Sequence, residues 1–225
     1  MGNVNGNQTK WYLNVLPRAT KKAFSYLAEQ KWLKESSWYL AGGTALALKE
    51  GHRQSQDLDF FTQNKSFLAQ ELVNLFPDKI WEGEIVRDGT VFGKVLGAKV
   101  RFISYSSFLP QENPHKFGSL RILTDRDIAV MKIVAISQRG KKRDFIDLYW
   151  CVHHHLSLKE TLALLPKQYP TVAHDYHHIL KSLVYFADAE DDPMPRLLFR
   201  TDWRNVKSFF IKEVNKISKE IFLRM

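Results

Sequence analysis

At 225 residues, 44% of them hydrophobic, the chain is long enough for one large domain or two small ones around a real core. Its 33 Lys and Arg against 24 Asp and Glu give a formal charge of +9, which points to a polyanionic partner such as nucleic acid, nucleotide or an acidic protein and carries no information on fold. The single cysteine, Cys151, excludes an internal disulfide framework and a multi-cysteine zinc site, and no apolar run approaches the about 18 residues of a membrane span.

The start, "MGNVNGNQTK", is polar and lacks the apolar stretch of a signal peptide, so a cytoplasmic protein with a disordered segment at 1–15 is expected. Next, Ala23, Phe24, Leu27, Ala28 and Trp32 recur at helical spacing, with Pro17 suited to a first turn. "WYLA" is a short apolar strand, Gly42 and Gly43 turn the chain, and "TALALKEG" is a helix closed by Gly51. "DLDFF" predicts a strand and "SFLAQELVNLF" an amphipathic helix; "IWEGEIVRDGTVFGKVLGAKVRFISYSSF" predicts strands around the hairpin signal Asp88-Gly89. From Thr124 the pattern is helical to the end. The expected class is α+β (α/β): a mixed sheet flanked by helices over 16–120, then a helical domain over 121–225 that contributes to the site.

Two stretches carry chemistry. Backbone N–H groups at a helix start lack partners within the helix and attract phosphate when glycine permits close approach, as Gly42 and Gly43 do here, with the Thr44 hydroxyl beside them. Alone, such a pair is more often a simple turn. Asp57 and Asp59 lie two apart in a strand, so both carboxylates leave one face. Side by side they repel unless a cation sits between them, and hard oxygen ligands suit Mg2+ or Mn2+ with substrate phosphates as further ligands. An isolated D-x-D is commonly a solvated strand edge; following a glycine-opened helix, it forms the second half of a nucleoside triphosphate site.

At this point "GGTALALKEGHRQSQDLDFF" resembles the signature of the AbiEii/AbiGii-type toxin nucleotidyltransferases, within the polymerase-β-like nucleotidyltransferase superfamily, with His52, Arg53 and Ser55 matching the link between the glycines and the acids. A later stretch, "DIAVMKIVAISQRGKKRDFIDLYW", resembles the family's second motif: Lys132 matches its lysine, Arg139 the following arginine, and Asp144 and Asp147 the two acids. Without the first motif, this stretch reads as a solvated helix start in which Arg143, one turn before Asp147, can form an intrahelical pair. The resemblance implies an NTP-using transferase in which Gly42, Gly43, Thr44, Arg53 and Ser55 bind nucleotide and Asp57 and Asp59 bind metal. It also implies that Lys132 and Arg139 neutralise phosphate and that Asp147 organises the site, with Arg143 and Asp144 in support. "SLVYFADAEDDPMP" resembles the family's C-terminal segment and reads as a helix end and connection.

There is one departure. Many superfamily enzymes carry a third carboxylate on a neighbouring strand, and "AKVRFISYSSF" has no acid, which leaves Asp147 as the expected substitute. The resemblance further implies a bacterial toxin with a cognate antitoxin, acting in phage defence or growth control, and the basic charge suits a tRNA acceptor. Two alternatives stay open: a nucleotide- or antitoxin-binding module with little catalysis, and transfer to a protein hydroxyl. The run His153, His154 and His155 is expected to favour a helix C-terminus rather than to hold metal, and the last helix to cap the domain with its apolar face rather than to track an RNA backbone with its lysines.

Overall fold

The computed structural model describes residues 10–222. A 3-10 turn (Leu13–Val15) leads to helices α1 (Arg18–Ala28) and α2 (Lys31–Glu35), then β1 (Tyr39–Ala41) runs directly into α3 (Gly42–Glu50). β2 (Leu58–Thr62), α4 (Ala69–Val73), β3 (Trp81–Arg87), β4 (Thr90–Val95), β5 (Ala98–Ser104), β6 (His115–Phe117) and β7 (Leu120–Ile122) follow. The rest is helical: α5 (Asp125–Arg139), α6 (Lys142–His154), α7 (Leu158–Ala163), α8 (Leu165–Gln168), α9 (Tyr176–Ser182), α10 (Ala187–Glu190) and α11 (Trp203–Phe222).

The strands form one mixed sheet in the order β3-β4-β5-β2-β1-β7-β6. β1, buried throughout, pairs antiparallel with β2 and parallel with β7, while β2 pairs parallel with β5. In β2, Leu58, Phe60 and Thr62 face the core and Asp59 and Phe61 the other way, the period-2 alternation of a strand with one buried face. Phe60 stacks on Phe102 of β5 at 5.0 Å between centroids, so burial fixes the β2–β5 register; a one-residue slip would bury Asp59 instead.

Local signals account for most boundaries. Gly51 ends α3 at φ +68 and Gly140 ends α5 at φ +52, both left-handed caps. Thr124 opens α5 by accepting from the Asp127 N–H. At the β3–β4 turn, Asp88 accepts from the Ala69 N–H and so anchors the start of α4, which is shorter than its sequence pattern suggests. "SLKETLALLPKQY" divides into α7 and α8 at Pro166, whose ring nitrogen has no hydrogen to give.

Three features depart from the sequence reading. Of the segment 1–15 expected to be disordered, residues 1–9 lie outside the described residues, while 10–15 pack on the fold: Val15 is fully buried and the Tyr12 N–H donates to the Leu48 carbonyl. The β6–β7 hairpin is additional to the expected strands, and β7 pairs Ile122 with Leu40, so the sheet reaches past residue 120. Beyond it, α5 and α6 pack on each other and on α3, which brings the helical part against the sheet's glycine turn.

The three histidines at the end of α6 separate. His153 and His154 lie within hydrogen-bond distance of carbonyls one turn back, whereas His155 bridges Asp125 (Nδ1 to Oδ2, 2.9 Å) and Glu50 (Nε2 to Oε2, 3.4 Å). These two carboxylates raise its pKa to about 9. A raised histidine pKa contributes stability that is complete below the unfolded value, near 6.5, and is lost as pH rises through about 9. The wild-type melting temperature is therefore expected to fall over that window relative to His155→Gln; equal pH slopes for the two proteins would refute the bridge.

Candidate active site

Asp57 and Asp59 leave the open face of β2 together, as their spacing predicts. On β5, the residue paired with Asp59 is Arg101. Its Nη2 lies 2.8 Å from Asp57 Oδ2 and its Nε 2.8 Å from Asp59 Oδ1, so one guanidinium spans both carboxylates. Burial raises the Asp59 carboxyl above its ordinary range; Arg101 opposes that rise and Asp57 adds to it. On the other side of β2, Asp59 is paired with Ala41, the last residue before the glycine turn. Gly42 adopts φ +71, where a side chain is strained, and a Cβ there would lie 3.4 Å from Asp59 Oδ2. The start of α3 therefore lies close against the Asp59 carboxylate.

Behind this turn lies a buried ionic cluster. Asp147, fully buried on α6, receives Arg53 Nε (2.6 Å) and Nη2 (2.8 Å), Lys132 Nζ (2.7 Å) and His52 Nε2 (2.8 Å). Burial alone would raise its carboxyl, but the charges of Arg53 and Lys132 hold it well below the usual range. Asp144, also buried, takes Lys132 Nζ at 2.7 Å and Arg139 Nε at 3.0 Å, and those two cations outweigh burial to lower it. Burial lowers the pKa of His52, which is therefore neutral and gives its Nε2 proton to Asp147. Three cations, Arg53, Lys132 and Arg139, face the two carboxylates of Asp144 and Asp147, leaving one positive charge beside the glycine turn.

The link 52–55 joins the two layers. The Thr44 hydroxyl is buried and bonded to Ser55 Oγ (2.8 Å) and to the Asp57 carbonyl, tying α3 to the segment that enters β2. Gly43 permits the layers to touch: a Cβ there would overlap the Arg53 guanidinium and stand 3.0 Å from Asp147 Oδ2.

A cavity of about 290 Å3 opens between these elements. Gly42, Gly43, Asp57 and Asp59 form one side. Lys132, Arg139 and Arg143 form the basic wall, and Phe61, Tyr105 and Met131 an apolar end. Met131, Lys132, Ala135, Gln138 and Arg139 reach it from one face of α5, at i, i+1, i+4, i+7 and i+8.

The chain matches the nucleotidyl transferase AbiEii toxins of type IV toxin–antitoxin systems over residues 26–91 and 88–221. It belongs to that AbiEii family. An uncharacterised protein of Aquifex aeolicus (strain VF5) is 38% identical over 188 residues, covering 80% of this chain and 88% of that one. Among solved structures, a protein from H. pylori described as a candidate nucleotidyltransferase is 19% identical with a TM-score of 0.52, covering 93% of this chain and 99% of that one. MenT4, a nucleotidyltransferase toxin from Mycobacterium tuberculosis H37Rv, is 13% identical with a TM-score of 0.51, covering 88% and 84%. At these identities, the two structures speak for the fold, which is that of nucleotidyltransferases.

The chain is thus a nucleotidyltransferase with the AbiEii arrangement, and membership implies an NTP substrate and an antitoxin partner. No described helix is long and apolar enough to cross a membrane. Of the residues singled out in sequence, Gly42, Gly43, Thr44, Arg53, Ser55, Asp57, Asp59, Lys132, Arg139 and Arg143 all line the cavity, and Asp144 and Asp147 stand behind it. The intrahelical pair considered for Arg143 and Asp147 does not form; Arg143 instead points to Asp57, at 3.7 Å, because Asp147 turns into the core. The sequence assigns no role to Arg101 or His52, and Arg101 stands opposite Asp59 on β5, the neighbouring strand that carries no acid.

Elsewhere, Glu50, Asp125 and His155 bring metal-type donors within 4.8 Å of one another, but both His155 nitrogens already face carboxylates, which makes this an ion triad. In the AbiEii-type turn, Gly43→Ala is expected to destabilise the protein by about 1–3 kcal/mol, since the clashing Arg53 is locked by Asp147 and cannot yield. Urea denaturation measures the cost, and a change below a few tenths would show that Arg53 moves freely.

Proposed function

We propose that this chain transfers an NMP from an NTP to an RNA acceptor, with tRNA as the first candidate, releasing pyrophosphate as the toxin of a toxin–antitoxin pair. The observation that carries this reading is the meeting, in one cavity, of two strand carboxylates, a glycine-opened helix start and a basic wall. Asp57 and Asp59 would hold Mg2+ or Mn2+: both carboxylates line one cavity and point the same way, toward the single guanidinium that spans them, and two adjacent carboxylates are a donor set that fits a hard cation. Such an ion, when bound, neutralises phosphate charge in the in-line displacement.

The chain's own groups supply the rest. The N–H groups at the start of α3 face the phosphates across Gly42 and Gly43. Arg139 and Arg143, each about half-exposed, offer charge to the triphosphate, while Lys132, held by Asp144 and Asp147, adds a fixed charge from behind. Phe61 and Tyr105, 5.6 Å apart, offer ring faces to the base.

A second cavity, of about 470 Å3, shares Arg53, Ser55, Asp57 and Arg143 with the first and continues past Lys141 to Arg196. An acceptor strand entering there brings its hydroxyl to Asp57. The hydroxyl oxygen bonds to the α-phosphorus as the bond to the β-bridging oxygen breaks and pyrophosphate departs, and the hydroxyl proton leaves toward Asp57, the acid that lines both cavities. Asp147 lines neither, so its part is to position Arg53 and Lys132. The basic surface and this second cavity support RNA as acceptor; phage defence or growth control is the setting such a toxin would serve.

Incubation with each labelled NTP, Mg2+ and either total tRNA or a cell lysate tests the proposal against an Asp57→Ala, Asp59→Ala control. Label on RNA supports it. Label on protein moves the acceptor to a protein hydroxyl, and failure to bind any NTP in the presence of Mg2+ rules out the catalytic reading.

A further inference from the structure

The metal reading of Asp57 and Asp59 leaves Arg101 unexplained. It sits where β5 runs beside the two acids, its guanidinium meets the same oxygens that a divalent cation would take, and its position is fixed by the parallel pairing of Asp59 with Arg101. It also lies over the Phe92 ring of β4, 6.0 Å from the centroid, a cation–π contact that supports it on the side away from the acids. Arg143 reaches Asp57 alone and at the longer distance of 3.7 Å, so the close contacts of the pair are two carboxylates against one guanidinium, and one negative charge remains there where a dication would leave none. Arg101 therefore lessens the repulsion between the acids without removing it, and it competes for their lone pairs.

We propose that Arg101 is the built-in counter-ion of the Asp57/Asp59 pair, a positioning residue that yields these carboxylates to a divalent cation when the guanidinium turns to the polyphosphate of the incoming nucleotide. Arg101 lines the same cavity as Arg139 and Arg143, so the phosphates offer it an alternative anionic partner within its own reach. Metal and nucleotide binding are then positively coupled: the acids bind the cation weakly on their own and tightly once NTP has drawn Arg101 away. The proposal rests on the metal-binding reading above and adds a residue to it.

Mn2+ titration of the full chain without nucleotide, followed by electron paramagnetic resonance, tests it. Arg101→Met keeps the aliphatic stem over Phe92 and removes the charge; it is expected to bind Mn2+ about tenfold more tightly than wild type, the scale set by removing one positive charge a few ångströms from a dication. Arg101→Lys, which retains a charge but cannot span both carboxylates, is expected to fall between the two. If Arg101→Met melts cooperatively and binds Mn2+ no more tightly than wild type, the counter-ion proposal is overturned. Should that variant fail to fold, Arg101→Lys decides alone, and an unchanged affinity overturns the proposal equally. Adding Asp57→Ala and Asp59→Ala to Arg101→Met separates the two readings: tight Mn2+ binding that survives would overturn the assignment of the aspartates themselves.

Discussion

Asp147→Ala is expected to lower folding stability by about 3–5 kcal/mol, the range for removing one partner of a buried ion pair. Arg53 is bonded to Asp147 through two nitrogens and Lys132 through one, and all three side chains are buried. Without the carboxylate, Arg53 stays charged in a low-dielectric site with the Gln54 carbonyl as its one remaining hydrogen-bond partner among the described residues, and Lys132 keeps Asp144. His52 also loses the acceptor of its Nε2 proton, and its Nδ1 has no hydrogen-bond partner among the described residues. Because the pKa of Asp147 is held low, its contribution is present above the ordinary carboxylate value of 3.8 and is lost only as pH falls through its depressed folded value, so at neutral pH the full cost appears. Urea denaturation at pH 7 checks the magnitude. A double-mutant cycle with Arg53→Met checks the cause: the pair should cost clearly less than the sum of the single changes, and additive costs would mean that the cluster does not act as a unit.

The same cluster shows where sequence spacing stops being informative. The order of parts in "GGTALALKEGHRQSQDLDFF" is sufficient to place a glycine-opened helix before two acids on one strand face, and the structure has both. Spacing on α6, however, describes only neighbours on that helix, and so offers Arg143 to Asp147. The actual partners come from the loop after α3 and from α5, delivered by the packing of three helices that no local period encodes. Arg101 was hidden for a related reason: alternation along β5 says that it shares a face with Lys99 and Ile103, but not that β5 lies parallel to β2 with Arg101 opposite Asp59. The β6 and β7 strands, three residues each, are too short for a period-2 signal to emerge.

A contrasting result is expected at the cavity surface. Asp57→Ala combined with Asp59→Ala should reduce nucleotidyl transfer by roughly 10³-fold or more, since a metal clamp supplies several kcal/mol of transition-state stabilisation. Stability should change by only about 1 kcal/mol or less in either direction. Both carboxylates are partly exposed and repel each other, so their loss relieves one unfavourable interaction while removing the pairs with Arg101 and Arg143. Arg101 itself is partly exposed and can turn to water, unlike Arg53 after loss of Asp147. Transfer to the acceptor and urea denaturation, measured on the same preparation, divide the acids by role: Asp57 and Asp59 should lose activity and keep the fold, Asp147 should lose both. A double variant that transfers NMP at the wild-type rate would remove Asp57 and Asp59 from the chemistry, and one that unfolds as readily as Asp147→Ala would show that the pair serves the sheet.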